Sequence, residues 1–199
     1  MNYRYTDRAI GYINRRLIEK FSPLKTIIDF DELNILQEVN KTYDDLNRIV
    51  RRAFLKIAQQ TYRENIRLRA YQDLDEQWVD ELLSSYDPVS KFIFNNEQDR
   101  RRARLAEAII ASPTKVQEIN SAMKSMSFMY RTYAVRVADE AALQAYKDNS
   151  QGNPEIRWIA ELDDRTCGVC WDRDGKTYPL SELPPKPHLN CRCMFEEVL

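Results

Sequence analysis

The chain has 199 residues, a formal net charge of −1, 43% hydrophobic residues and 31% charged residues. The apolar fraction suffices for a core, and the near-zero charge provides no global field toward nucleic acid or membranes. There is no run of eighteen apolar residues to span a bilayer. The N-terminus has no apolar segment typical of a secretory signal. We therefore expect folding in a reducing cytosol, where clustered cysteines serve as metal ligands rather than disulfides.

Glycine and proline divide the chain into two parts. Three of the four glycines and five of the eight prolines follow residue 150. A long stretch almost free of both residues favours helices, whereas a short stretch rich in both is typical of loops and turns. The sequence therefore predicts a helical domain over 1–150 and a cysteine- and histidine-rich, zinc-binding mini-domain over 151–199.

Helix signals recur through the first part. We predict a first helix from about Asp7 to Lys20 and a third helix from about Leu74 to Ser85, with Asp73 as the N-cap of the third. Ser112 and Pro113 are typical of the start of the last helix. The second and fourth helices are expected over about 36–57 and 97–111.

Two apolar stripes alternate in steps of three and four residues, the spacing of one helix face. The first is Leu36, Val39, Tyr43, Leu46, Val50, Ala53 and Ile57, and the second is Val116, Ile119, Met123, Met126, Tyr130, Tyr133 and Val137. Matching stripes predict two long helices side by side, in a mainly α fold built as a long-helix bundle or hairpin. Core packing is the main interpretation; the alternative is that the methionine- and tyrosine-rich part docks on a partner.

A basic cluster lies within the sequence DRRRARLAE, at Arg100, Arg101, Arg102 and Arg104. The favoured interpretation is a solvated helix face paired with Glu97, Asp99 and Glu107. The alternative is contact with nucleic-acid phosphates, but no stacking aromatic residues interleave the cluster.

All four cysteines and the only histidine lie within 31 residues of the C-terminal part. They are Cys167, Cys170, His188, Cys191 and Cys193. Cys-x-x-Cys and His-x-x-Cys pairs separated by a loop are typical of one structural, tetrahedral zinc ion. We expect Cys-x-x-Cys on a tight turn relaxed by Gly168, a turn at Asp174–Gly175, and strands over 157–162, 176–178 and 191–199 in a small zinc-knuckle β unit.

The number of candidate ligands exceeds four, so two ligand sets stay open. The matching pair spacing favours Cys167, Cys170, His188 and Cys191. The other set is Cys167, Cys170, Cys191 and Cys193, with His188 outside the coordination sphere. A catalytic metal would need an open position and a general base, and the sequence offers neither, so we expect no enzymatic activity.

The sequence RWIAELDDRTCGVCWDRDGKTYPL, followed by LPPKPHLNCRCMF, resembles the C-terminal signature of the Mu F-like phage head morphogenesis family. The resemblance extends back over MYRTYAVRVADEAA and covers about residues 110–199. It carries a tryptophan before the motifs D-x-R-T-C-x-x-C and D-G-K, and then P-P-x-x-H-x-N-C-R-C. Pro187, directly before the histidine, is a small departure.

The resemblance implies a minor head protein of a tailed phage, made in the host cytoplasm and located in the virion. It implies association with the portal protein in multiple copies, with scaffold, major capsid protein and packaged DNA as further partners, and a role in head assembly, DNA packaging or ejection. No membrane partner is expected. The alternatives are a nucleic-acid-binding zinc protein and a zinc-supported nuclease.

Overall fold

The computed structural model describes residues 4–27, 32–85, 97–111, 115–150, 152–188 and 191–199. Within these residues, five α-helices precede the C-terminal part: α1 (Arg4–Phe21), α2 (Glu32–Asn65), α3 (Glu76–Ser85), α4 (Glu97–Ala111) and α5 (Lys115–Ser150). These helices form the bundle, and a 3-10 turn over Pro23–Thr26 follows α1. None of the described helices combines the length and the apolarity needed to cross a lipid bilayer.

The two predicted stripes form the centre of the bundle, because α2 and α5 pack along each other. Val39, Leu46 and Val50 on α2 are fully buried, as are Ile119 and Tyr133 on α5. The predicted mainly α fold is thus confirmed. The prediction of burial is wrong only at the first position of each stripe. Leu36 and Val116 are exposed, and Ile35 is buried in place of Leu36.

The remaining helices cover this pair. α1 buries Ile10, Ile13, Leu17 and Phe21 at helical spacing, and Lys20 reaches Asp45 of α2 at 2.7 Å. α3 begins two residues later than predicted, and its cap is Asp75 rather than Asp73, since Asp75 Oδ1 accepts the Trp78 N–H at 2.8 Å. Asp73 instead forms an ion pair with Arg63. The predicted cap at Ser112 and Pro113 lies outside the described residues.

The basic cluster on α4 contributes to packing. The Arg102 side chain is only 12% exposed; it pairs with Asp44 at 2.7 Å and lies 5.3 Å from the ring centroid of Tyr43. Arg101 donates to Ser125 Oγ on α5. Part of the cluster therefore holds α4 against α2 and α5. The side chains of Glu97 and Asp99, two of the predicted partners, lie outside the described side chains.

Residues 152–199, the cysteine-rich unit, hold a three-stranded antiparallel sheet and one short helix. The elements are β1 (Glu155–Ile159), α6 (Gly168–Arg173), β2 (Thr177–Pro179) and β3 (Met194–Glu197), with strand order β2-β1-β3. Alternation along β1 buries Ile156 and Trp158, and the Trp158 ring meets Phe195 of β3 edge to face at 5.2 Å. Gly175 has a φ of 73° in the turn between α6 and β2, a conformation that suits glycine.

The cysteine-rich unit packs directly on the end of α5. Ala142 and Tyr146 of α5 share a second hydrophobic core with the sheet and with three cysteines. Burial raises the pKa of Tyr146 to about 12, so its hydroxyl stays protonated and donates toward Asn65 Oδ1 at 2.9 Å and Phe195 O at 3.3 Å. One hydroxyl therefore links α2, α5 and β3.

A polar cluster next to Tyr146 completes this junction. Asn149 Nδ2 donates to Asn65 O at 2.9 Å, and Asn149 Oδ1 accepts the Arg67 N–H at 2.7 Å. Arg67 forms an ion pair at 2.7 Å with Glu197, whose side chain is 8% exposed. The bundle and the sheet are thus joined by hydrogen bonds as well as by apolar contact.

Truncation of the α2 stripe should destabilise the protein. Leu46→Ala removes a fully buried side chain and leaves a cavity, so we expect the free energy of unfolding to fall by about 2–5 kcal/mol. Leu33→Ala makes the same chemical change on the same helix at a position that is 62% exposed, and we expect a change below about 1 kcal/mol. Urea unfolding followed by circular dichroism measures both. Equal losses would contradict the assignment of the stripe to the core.

Candidate metal centre

The first ligand pair lies at the start of α6. Cys167 directly precedes the helix and Cys170 lies in its first turn, where the Trp171 N–H donates to Cys167 O at 3.0 Å. A separation of three residues places both sulfurs on one side of a helical turn. The predicted tight turn relaxed by Gly168 is wrong, because the turn is helical and Gly168 has ordinary helical backbone.

The second group of candidate ligands lies in the segment that leads into β3. Cys191 and Cys193 immediately precede β3, and the pairing of β3 with β1 fixes their position beside Cys170. His188 lies in the loop before them. The closing strand is therefore shorter than the predicted 191–199, and both cysteines stand before it.

The five side chains form two overlapping triads of ligand atoms. Within each triad all atoms lie within 4.8 Å of one another: Cys167, Cys170 and His188 form one, and Cys170, Cys191 and Cys193 the other. Cys170 Sγ lies 3.6 Å from Cys191 Sγ and 3.9 Å from His188 Nε2. Two thiolates on one tetrahedral zinc ion are about 3.8 Å apart, given a Zn–S bond of about 2.3 Å. A disulfide would need about 2.05 Å.

Burial sets the protonation of the thiols. Cys170, Cys191 and Cys193 are buried, whereas Cys167 is half-buried and His188 is exposed. Burial raises the pKa of Cys170 and of Cys191, while a hydrogen bond from the Cys170 backbone lowers the pKa of Cys167. A bound cation stabilises thiolates directly, and a coordinating thiol loses its proton. The donor set of thiols and imidazole fits a borderline-soft divalent ion such as zinc.

A small cavity of about 30 Å³ lies among these side chains. It is lined by all five candidate ligands together with Thr166 and Arg192. A space of roughly 10–15 Å³ already admits one water molecule on this measure. The cavity therefore has room for a single ion.

An arginine–aspartate pair joins the two ligand groups. Arg192, which lies between Cys191 and Cys193, donates to Asp163 with both terminal nitrogens, one at 2.8 Å. These hydrogen bonds hold the pKa of Asp163 well below its usual range. Asp163 Oδ1 also accepts the Arg165 N–H at 3.0 Å, in the turn that leads to Cys167. The pair thus ties the turn before Cys167 to the segment that carries Cys191 and Cys193.

The loop that carries His188 is held by two further contacts. Lys186 pairs with Asp139 of α5 at 2.5 Å, and both side chains are at most 10% exposed. Arg173 at the end of α6 donates to Pro185 O at 2.8 Å. The contact between Lys186 and Asp139 is visible only in the fold, because β1, α6 and β2 lie between the two residues along the chain. Sequence reasoning assigned no role to Asp163, Arg192, Lys186 or Asp139.

The fold and the site together define a class of protein: a long-helix bundle with a small β unit clasped around a cysteine-rich cluster that could hold a metal ion. A family model described as "Phage Mu protein F like protein" matches residues 92–196. The match covers more than half of the chain, and the chain belongs to this family. No curated protein and no solved structure matches it.

Family membership has a general functional consequence. It implies a protein of phage head morphogenesis that acts with other components of the head. The matched segment contains α4, α5, α6, β1 and β2 and ends one residue before the end of β3. The family thus corresponds to the part of the chain that holds the cysteine cluster and the helix on which it packs.

Loss of the Asp163–Arg192 pair should loosen the site. Arg192→Ala removes a two-pronged, charge-assisted contact, so we expect the melting temperature to fall by about 3 °C or more. Arg165→Ala is the matched control, because the Arg165 side chain is 73% exposed and reaches Asp163 only at 3.5 Å. We expect that variant to melt within about 1 °C of the wild type. Differential scanning calorimetry provides the measurement, and similar shifts in both variants would contradict the assigned role.

Proposed function

We propose that this protein is a minor head component of a tailed phage that associates with the portal vertex during head assembly. The observation that carries the proposal is the family match over residues 92–196. In this proposal several copies are arranged around the portal, with scaffold and major capsid protein as neighbours, and the protein influences DNA packaging or ejection from that position.

The distribution of apolar side chains supports the cysteine-rich unit as the portal contact. Met126, Tyr130 and Tyr133 of the predicted docking stripe are buried inside the bundle, so they are not available to a partner. On the cysteine-rich unit, Val169 and Trp171 are 45% and 49% exposed. Both lie on or beside α6, whose conformation the cysteine cluster constrains. A rigid surface loses little conformational entropy on binding.

We also propose that the cysteine cluster binds one structural zinc ion. The 3.6 Å separation of Cys170 and Cys191 supports this, because it is close to one edge of a zinc tetrahedron. The spacing of the two ligand pairs favours Cys167, Cys170, His188 and Cys191 as the ligands. Cys170 belongs to both triads and would be a ligand in either set.

The same site argues for a structural role and for a protein without enzymatic activity. The cavity of about 30 Å³ is the size of an ion-binding site. A nuclease of the histidine type needs a general base in addition to its metal ligands. The chain has one histidine, and the proposed zinc ion would bind it.

Zinc content tests the metal proposal. We expect about one zinc per chain after gel filtration, measured by mass spectrometry of the metal. Cys170→Ser should reduce zinc affinity at least tenfold in a competition with a chelator, because it removes the ligand shared by both triads. His188→Ala should also weaken binding at least tenfold, whereas Cys193→Ser should retain one zinc. The reverse ranking of these two variants would assign the four-cysteine set, and a wild-type protein that binds no zinc would contradict the proposal.

Co-expression with the portal protein of the source phage tests the assembly role. We expect the two proteins to co-purify as a ring-sized complex. Trp171→Ala should lower the recovered amount of this chain at least fivefold by removing an exposed aromatic contact. Phe128→Ala on α5 is the matched control, since Phe128 is 47% exposed and outside the cysteine-rich unit. A zinc-loaded wild-type protein that ignores the portal would contradict the proposal, and a loss limited to Phe128→Ala would move the contact to α5.

A further inference from the structure

A groove of about 890 Å³ runs between α1 and α2, far along the chain from the cysteine cluster. Its walls are basic and aromatic. The side chains that matter here are Tyr5, Arg8 and Tyr12 of α1 and Arg52, Lys56 and Arg63 of α2. Glu76 is the one carboxylate among the lining residues of this groove, so the four cations exceed the acidic groups by three.

The α2 wall has a regular arrangement. Arg52, Lys56, Gln59 and Arg63 follow one another at steps of four, three and four residues, which places them on one face of the helix. At 1.5 Å per residue this polar stripe is about 17 Å long. It lies beside the apolar stripe of Val50, Ala53 and Ile57, of which Ala53 and Ile57 also line the groove.

Most cations of this groove are not neutralised within the described part of the chain. Arg63 pairs with Asp73, whereas Arg8, Arg52 and Lys56 form no ion pair or hydrogen bond with any side chain in the described ranges. All three are exposed. Two neighbouring arginines on α2 are neutralised by carboxylates: Arg48 pairs with Asp45, and Arg51 pairs with Asp80. The groove therefore concentrates the free positive charge of this face.

Aromatic rings flank these charges. Tyr12 is 39% exposed, and its ring lies 5.5 Å from the guanidinium carbon of Arg16. Tyr5 is half-buried in the first turns of α1. Cations supply the contacts to a phosphate backbone, and aromatic side chains beside them add stacking surfaces where bases are unpaired. The α4 cluster lacks this arrangement, because Arg102 is held against Tyr43 and Asp44.

We infer that the groove between α1 and α2 binds the phosphate backbone of DNA without regard to base sequence. Arg8, Arg52 and Lys56 would each neutralise a phosphate, and the 17 Å stripe spans about five base-pair steps at 3.4 Å per step. The excess of cations in the groove is complementary in charge to a polyanion. The choice of DNA rests on the proposed function, since a head protein shares its compartment with the packaged genome.

The test uses the full zinc-loaded chain and a mixed-sequence DNA duplex of about 20 base pairs, with binding followed by fluorescence anisotropy over a range of salt concentrations. Three phosphate contacts predict a log–log salt slope of about −2.7. Arg52→Ala combined with Lys56→Ala should reduce the slope by about 1.8 and weaken binding at 0.1 M salt by about sixtyfold.

The matched control is Lys124→Ala combined with Arg131→Ala, which removes two exposed cations from α5 and leaves the groove intact. We expect its affinity to stay within about threefold of the wild type. Circular dichroism verifies that both double variants keep their helices. Equal losses in the two variants would reduce the effect to net charge and overturn the inference, as would absence of binding by the wild type.

Two further results separate this inference from its alternatives. A polyglutamate peptide that competes as well as DNA at equal charge would assign the groove to an acidic protein and overturn the inference. Portal co-purification of the groove variant distinguishes this site from the assembly role. We expect that variant to retain the portal while losing DNA, because Arg52 and Lys56 lie outside the cysteine-rich unit.

Discussion

The close packing of α2 against α5 is the contact on which the other elements depend. The second half of α5 presents small residues to its neighbours, with Ala134, Ala138, Ala141 and Ala145 all buried at helical spacing. Small side chains let a partner helix approach closely, and Ile57 and Ala58 of α2 are buried in the same core. The approach brings Tyr62 near enough to donate to Asp148 at 2.6 Å. α1 and α4 then cover a pair that is already fixed.

Helix α5 contributes side chains to two hydrophobic cores. Up to Ala145 its small-residue face belongs to the bundle, while Ala142 and Tyr146 belong to the core of the cysteine-rich unit. A three-stranded sheet of short strands is marginal by itself and needs a surface to pack on. α5 provides that surface, and the contacts of Asn149 and Glu197 hold the sheet edge to it. The position of the cysteine cluster relative to the bundle is therefore set by a continuous helix rather than by a flexible linker.

Much of the bundle was predictable because heptad periodicity reports helix faces directly. The stripes on α2 and α5 gave their pairing, and the predicted bounds of α4 are those of the structure. The stripe ends were wrong, because Ile35 rather than Leu36 faces the core at the start of α2, and Val116 in the first turn of α5 is exposed. The cap of α3 was wrong because Asp73 has a stronger partner in Arg63 than a backbone N–H.

Sites made from distant residues were harder to predict. Spacing within a short window was enough to bring together the five metal-ligand candidates, but the contacts that hold them come from elsewhere, as with Lys186 and Asp139. In a sequence, basic residues stand out when they are adjacent to one another, so the prediction was limited to the α4 cluster. The groove escaped notice because Arg8 and Lys56 are far apart in sequence and meet only when α1 packs on α2.

Two kinds of contact hold the cysteine-rich unit together: the hydrogen bonds of the sheet and the contacts around the cysteine cluster. Hydrogen bonds of β1 with β3, and of Tyr146 and Asn149 with the sheet edge, do not involve the cysteine cluster. Arg192 and the cluster itself tie the start of α6 and the turn at Asp163 to the segment before β3. The end of α6 is held to β1 independently, because Arg173 lies 4.9 Å from the Trp158 ring and Asp174 accepts the Ala160 N–H at 2.8 Å. Loss of a bound ion would therefore loosen the start of α6 first, while the sheet stayed docked on α5. Because Trp171 lies on α6, the ion would control the one exposed aromatic surface of the described unit without controlling its fold as a whole.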